Sequence, residues 1–248
     1  MARLPRLAVA GHLHLLIQRG HNGQVVFKDN DDRADYLRHV RDAAAAHQVA
    51  IHAYALPPTE VLLLATPGEA AALGLMMQAV SRHFVRAHNL RHRRSGTLWE
   101  ARFGSTVVDP AAHGLACLRL VDGAWPAPDG ADSLALSSAA HHLGSAEAGW
   151  LAAHVAYWNL GNTPFEREAR FRDLLAQPLA AQERNLLRNA ALKGWVLGDK
   201  AFETDVAVLT GRRLAPQSRG RPRKGDDIRS QSGMAPIHSE ALMASENK

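Results

Sequence analysis

His12 and His14 flank Leu13. On a β-strand, residues two apart project to the same face, so both imidazoles could reach one cation. The run His12–Gln18, bounded by Gly11 and Gly20, reads as such a strand. Paired strand histidines more commonly pack or hydrogen-bond, and that is the expectation for this pair. His141 and His142 are adjacent, so regular structure points them apart, and His52 and His113 have no partner that the sequence identifies. Cys117, the single cysteine, reads as a small buried hydrophobe rather than a nucleophile. The phenolic nucleophiles are limited to Tyr36, Tyr54 and Tyr157.

The other chemistry-bearing residues are cations. Between residues 82 and 102 lie Arg82, Arg86, Arg91, Arg93, Arg94 and Arg102 with three histidines, against the single acid Glu100. Residues 211–224 carry five arginines and Lys224 with no acid. The whole chain has a net charge of only +5, so the clustering says more than the sum. Two arginine-rich tracts point to a polyanion partner, most simply nucleic acid, because guanidinium groups form bidentate and stacking contacts that lysine does not. Trp99 lies inside the first tract and could stack on an exposed base or belong to the core. Within the second, Arg219, Arg221, Arg223 and Lys224 alternate with Gly220 and Pro222, which resembles an AT-hook. An extended backbone of that kind lets arginines enter a narrow minor groove.

These residues need elements to position them. An aspartate, Asp31 or Asp32, can cap a helix running to about His47, with Tyr36, Leu37 and Val40 on its apolar face. Val49–Leu56 and Val61–Ala65 read as strands separated by Pro57 and Pro58. Glu69–Leu90 reads as a long helix, with Leu73, Met76, Met77, Val80 and Phe84 at helical spacing. Ser105–Val108 is a fourth strand, and Pro110 can start a helix through Val121. The order strand, helix, strand, strand, helix, strand predicts an α+β, ferredoxin-like antiparallel sheet with helices on one face. Such a sheet has an open face or edge on which nucleic acid can lie.

The expected organisation is an α+β domain over residues 1–122, a linker over 123–144, a small all-helical domain over 145–212 and a disordered basic tail over 213–248. Helices are expected over Ser145–Trp158, Pro164–Ala176, Ala180–Leu192 and Ala201–Leu209. No apolar run is long enough for a membrane span, and the amino terminus makes a poor secretory signal. With one cysteine, a disulfide framework is excluded and a reducing cytoplasm is the expected compartment, with the chain nucleoid-associated.

Gly11, Leu13, Arg19 and Gly20, then Phe27, Asp31, Asp32 and Arg33, resemble the opening of bacterial REP-associated tyrosine transposases. The resemblance continues through Gly96, Leu98, Trp99, Arg102 and Phe103, and extends to Trp195–Gly198 and the Arg219–Lys224 run. It implies single-strand DNA nicking: a histidine–hydrophobic–histidine pair holds a divalent cation such as Mg or Mn, and a helix tyrosine attacks the phosphate. At the positions that match, Thr59 and Val61 replace the histidines and Leu120 replaces the tyrosine. Glu60, between them, points to the opposite side of the strand and cannot restore a pair alone. The expectation is therefore a catalytically inactive DNA-binding protein with no cofactor, recognising hairpin or single-stranded DNA. The alternatives are an active nickase with atypical ligands and a protein-interaction module derived from the fold. The resemblance also implies a homodimer.

Overall fold

The computed structural model describes residues 6–123, 136–211 and Leu214. The AT-hook-like residues Arg219, Arg221, Arg223 and Lys224 lie outside the described residues. Four strands form the sheet: β1 (Leu13–Arg19), β2 (Val49–Ala55), β3 (Glu60–Pro67) and β4 (Gly104–Val108). Their order is β2-β3-β1-β4, with every neighbouring pair antiparallel. This is the ferredoxin-like arrangement that the element order predicts.

Helices α1 (Asn30–Ala46) and α2 (Ala72–Arg91) share one face of the sheet. The cap of α1 is Asp29, whose side chain accepts from the Asp32 amide, not Asp31 or Asp32; those two occupy the first turn, where carboxylates also suit the helix dipole. Leu16, Val61, Leu63 and Ala65 project towards this layer and meet Tyr36, Val40, Met76, Val80 and Phe84.

The opposite face is also covered. Leu13, Leu15, Ile17, Leu62 and Leu64 pack against Cys117, Leu118 and Val121 of α3 (Leu115–Asp122). Further cover comes from Phe171 of α6 (Pro164–Ala176) and from Leu187, Ala190 and Ala191 of α7 (Ala181–Lys193). The chain enters α3 through a π-helical turn, Pro110–Gly114, capped by Asp109. Gly104 allows the close approach of α7, because a Cβ there would lie 2.6 Å from the Ala191 carbonyl oxygen. The segment 145–212, expected as a small all-helical domain, thus supplies α6 and α7 to the second face of the sheet.

Both sheet edges are occupied as well. Ser137 bridges to Ala55 on the β2 edge, where the Leu56 amide donates to Leu136 at 2.7 Å and the Ser138 amide to Tyr54 at 2.9 Å. Leu197 bridges to Val108 on the β4 edge. Residues 136–142, expected as linker, include the short helix α4 (Ala139–His142), fixed where Asp122 accepts from the Ser138 hydroxyl and pairs with His142 Nδ1. The helix expected over Ser145–Trp158 is reduced to the single turn α5 (Val155–Trp158). Gly144, at φ +69°, ends the preceding turn, and a new start is needed at His154, whose ring caps Ala156. The last helix, α8 (Lys200–Thr210), places Val206 in a third cluster with Leu7, Val9 and Val107. Among the described residues no helix is long and apolar enough to cross a membrane.

Candidate nucleic-acid interface

Both faces of the sheet carry helices and each edge is capped at one end, so little of the sheet among the described residues is left open for nucleic acid. The exposed cations lie elsewhere. On α2, Leu73, Met76, Val80, Phe84 and His88 are buried at helical spacing. Arg82 and Arg86 stand two residues from Phe84, which at about 100° per residue puts them on the opposite, solvent face and one turn apart. Arg93 follows the helix with φ +49°, a left-handed conformation that turns the chain sharply out of α2. Arg82, Arg86, Arg93 and Arg102 are exposed and pair with no other described residue. Arg94 is half-buried and donates to the Thr97 carbonyl at 3.1 Å.

The loop after Arg93 is held in place rather than free. The His21 amide donates to Leu98 at 3.0 Å, the Glu100 amide donates to Arg19 at 2.9 Å, and Gly20 bridges to Trp99. The loop therefore runs beside the end of β1 and delivers Arg102 to a cleft of about 650 Å³ lined also by Arg6, Arg19, Glu100, Lys193 and Trp195. Arg19 pairs with Glu100 at 2.9 Å, while Arg6 donates to the Phe103 carbonyl and lies 3.9 Å over the Phe103 ring. Four cations around one carboxylate give the cleft a surplus of positive charge that suits phosphates. Arg6, Arg19 and Lys193 were not recognised from sequence, because they come from three separate parts of the chain.

Two residues assigned to DNA contact belong elsewhere. Trp99 is only 7% exposed, and its ring packs against Tyr36 and Phe84 at 6.1 and 6.3 Å. It is a core residue rather than a stacking platform, because the loop that carries it is folded down onto the α1–α2 layer. Arg91 is exposed but engaged with Asp29, Asp31 and Asp32 at 2.7–2.8 Å. Those carboxylates satisfy its charge, so it offers little to a phosphate.

The positions matched to the transposase chemistry do not converge. Thr59 lies in the turn before β3, Val61 is buried under α1 and α2, and Leu120 belongs to the cluster on the other face. Glu60 is the residue that shares a cleft with Leu120, one of about 530 Å³ lined also by Arg119, Arg184 and Arg188. Both Glu60 oxygens accept from Arg188, at 2.7 and 2.9 Å. The residues here do not fit the divalent cation that the resemblance implies: Val61 is sealed in apolar packing, and Glu60 is already neutralised by a guanidinium.

The histidine pair of β1 is structural at His14. Its Nδ1 bonds the His12 carbonyl at 2.7 Å, while Nε2 accepts from the Val9 amide at 3.2 Å. Burial lowers its pKa to about 4, so the folded ring is neutral where an unfolded one takes up a proton. Below pH 6.5 the unfolded state binds the extra proton, and stability falls until about pH 4. The loss is about 3 kcal/mol at 1.36 kcal/mol per unit. Urea unfolding at pH 7 and pH 4.5 measures it, and His14→Gln is expected to shrink the difference, leaving the part that other buried histidines such as His154 contribute. A variant that keeps the full acid slope would place its origin in other groups. His52 also finds partners that sequence did not show, the Ala152 carbonyl at 2.7 Å and Thr66 Oγ1 at 2.8 Å.

No family model matches the chain, and none of the curated proteins matches it. Two solved structures are similar to about half of it. A REP-associated tyrosine transposase bound to a REP hairpin aligns over 49% of this chain and 71% of its own, at 11% identity and TM-score 0.41. A Deinococcus radiodurans protein assigned as a transposase aligns over 47% of this chain and 91% of its own, at 20% identity and TM-score 0.34.

Proposed function

We propose that the protein is a catalytically inactive relative of the transposases that binds DNA, hairpin or single-stranded, through its phosphates. The observation that carries this reading is the set of exposed arginines without partners among the described residues, Arg82, Arg86, Arg93 and Arg102, the last at the rim of a cleft shared with Arg6, Arg19 and Lys193. Surface arginines are commonly paired with neighbouring carboxylates. Here the nearby carboxylates of α1 are spent on Arg91, and the remaining guanidinium groups face solvent. Contacts of this kind give affinity without sequence information, so recognition comes from the shape of the nucleic acid. The absence of a histidine pair at Thr59 and Val61 and of a phenol at Leu120 supports binding without cleavage.

The test is a titration of hairpin, single-stranded and duplex DNA across salt, with and without magnesium or manganese, with the same samples resolved for cleavage products and covalent adducts. The expected result is saturable, salt-sensitive binding and unbroken DNA. Metal-dependent products would replace this reading with an active nickase. Negligible binding to every probe at physiological salt would redirect the basic surface to an acidic protein partner.

A further inference from the structure

A second group of polar residues lies beneath the root of the basic loop. His88 and His92 are one turn apart at the carboxy-terminal end of α2, and Asp32 comes from the first turn of α1. One ligand atom from each lies within 4.8 Å of the other two. His92 Nε2 is 2.8 Å from Asp32 Oδ1, and His88 Nε2 is 4.0 Å from Asp32 Oδ2. The His88 side chain is wholly buried, and among the described residues its ring nitrogens make no well-aligned hydrogen bond, although the Val26 backbone lies close enough to interact with the ring. An imidazole sealed from water without a well-aligned hydrogen bond is costly. Its position beside a buried carboxylate and a second imidazole supplies a reason for the arrangement.

We propose that Asp32, His88 and His92 form a binding site for a divalent transition ion of the zinc or cobalt type, with the fourth position left to water. Two imidazoles and one carboxylate suit such ions, whereas magnesium and calcium prefer an all-oxygen shell. Bonds of about 2.0–2.1 Å in a tetrahedron put ligand atoms roughly 3.3 Å apart. The separations here straddle that value, so small side-chain rotations close the shell around an ion. Outer partners are already in place: the Lys28 amide donates to Asp32 Oδ2 at 2.9 Å and Arg91 to Asp32 Oδ1 at 2.7 Å. Hydrogen bonds of this kind orient metal-bound carboxylates. The unfulfilled carbonyls at the end of α2 also favour a cation there. The Arg91 charge opposes one, and Asp29 and Asp31 offset it. His92, 13% exposed, provides the way in. A bound ion ties the start of α1 to the end of α2, where Arg93 begins the basic loop. The site stands apart from the DNA-binding reading, since its readout is the metal itself.

The test is cobalt(II) added to the full-length, metal-stripped protein, followed by visible absorption and by calorimetry with zinc. Wild type is expected to bind one equivalent saturably, with the intense ligand-field bands of a tetrahedral site. His92→Ala should weaken binding by about 100-fold, at least the loss seen when only an outer partner is removed. His12→Ala, at the other histidine pair, should leave it unchanged. No saturable equivalent in wild type, or an equivalent that persists in His92→Ala, overturns the proposal. If that variant does not fold by circular dichroism, His88→Gln decides the question by the same criteria.

Discussion

Trp99→Ala destabilises the protein by about 3–5 kcal/mol, the range for truncating a large buried aromatic. The indole meets Tyr36 nearly edge-on, and Tyr36 in turn meets Phe27 and Phe84 at 5.4 and 5.0 Å with interplanar angles of 81° and 88°. Removing one member of that group leaves a void bordered by the others and loosens the loop from Arg93 to Phe103 that Trp99 anchors. A drop in DNA affinity in this variant would therefore report on folding as much as on contact. Trp99→Phe separates the two. It keeps most of the ring packing and removes an indole N–H that has no partner among the described residues, so its stability should stay within about 1.5 kcal/mol of wild type, as for other shape-conserving core changes. Urea unfolding read beside fluorescence anisotropy with labelled DNA makes the comparison. Unchanged affinity in Trp99→Phe supports the core assignment; a large affinity loss at wild-type stability would return Trp99 to the interface.

The architecture was legible because the local signals agree with it. The apolar spacing of Leu73, Met76, Val80 and Phe84 specifies α2, and the Pro57–Pro58 break separates β2 from β3. What went unread is how thoroughly the sheet is enclosed. β1 and β3 are continuous apolar runs, Leu15–Ile17 and Val61–Ala65, and an antiparallel strand with one wet face alternates instead. Those runs carried the message that both faces are buried. β2 hides it better: a register shift between Ile51 and Ala53 brings Tyr54 onto the same face as Ile51, which breaks the two-residue period. The anchoring of residues 136–142 was not readable, since it depends on Asp122 meeting Ser138 and His142 after folding.

For the candidate sites, residue type was informative and neighbourhood was not. The arginine tract could be found by composition, but whether each guanidinium is free depends on carboxylates far away in sequence. Arg91 meets Asp29, Asp31 and Asp32 only because α1 and α2 pack side by side. The same packing brings His88 and His92 to Asp32, about sixty positions earlier in the chain. The histidine pair on β1 is the less available one, with both His14 nitrogens consumed by backbone groups. Burial of Val61 under α1 and α2, on the other side of the sheet from Leu120, was fixed by strand phase.

Replacing Arg82, Arg86 and Arg93 together with glutamine lowers affinity for single-stranded DNA by about 100-fold at 0.1 M salt. The figure follows from counterion release, in which each phosphate neutralised on a single strand adds about 0.7 to the slope of log K against log salt. Three lost contacts remove about 2 from that slope, so affinities that converge at about 1 M salt differ by about 2 in log K at 0.1 M, with the variant the weaker. On duplex the per-contact value is about 0.9, so the loss there is correspondingly larger. Stability should barely change, because the three side chains are exposed and pair with no other described residue. The slope is the decisive readout. A mutant that binds weakly at every salt with an unaltered slope has lost shape rather than phosphate contacts, and the arginines would then be solubilising charge. A shallower slope with converging affinities at high salt is what a phosphate-holding surface requires. Arg91→Gln provides the internal contrast: it should leave the slope nearly unchanged while freeing Asp29, Asp31 and Asp32, so its effect belongs to the packing of α1 on α2.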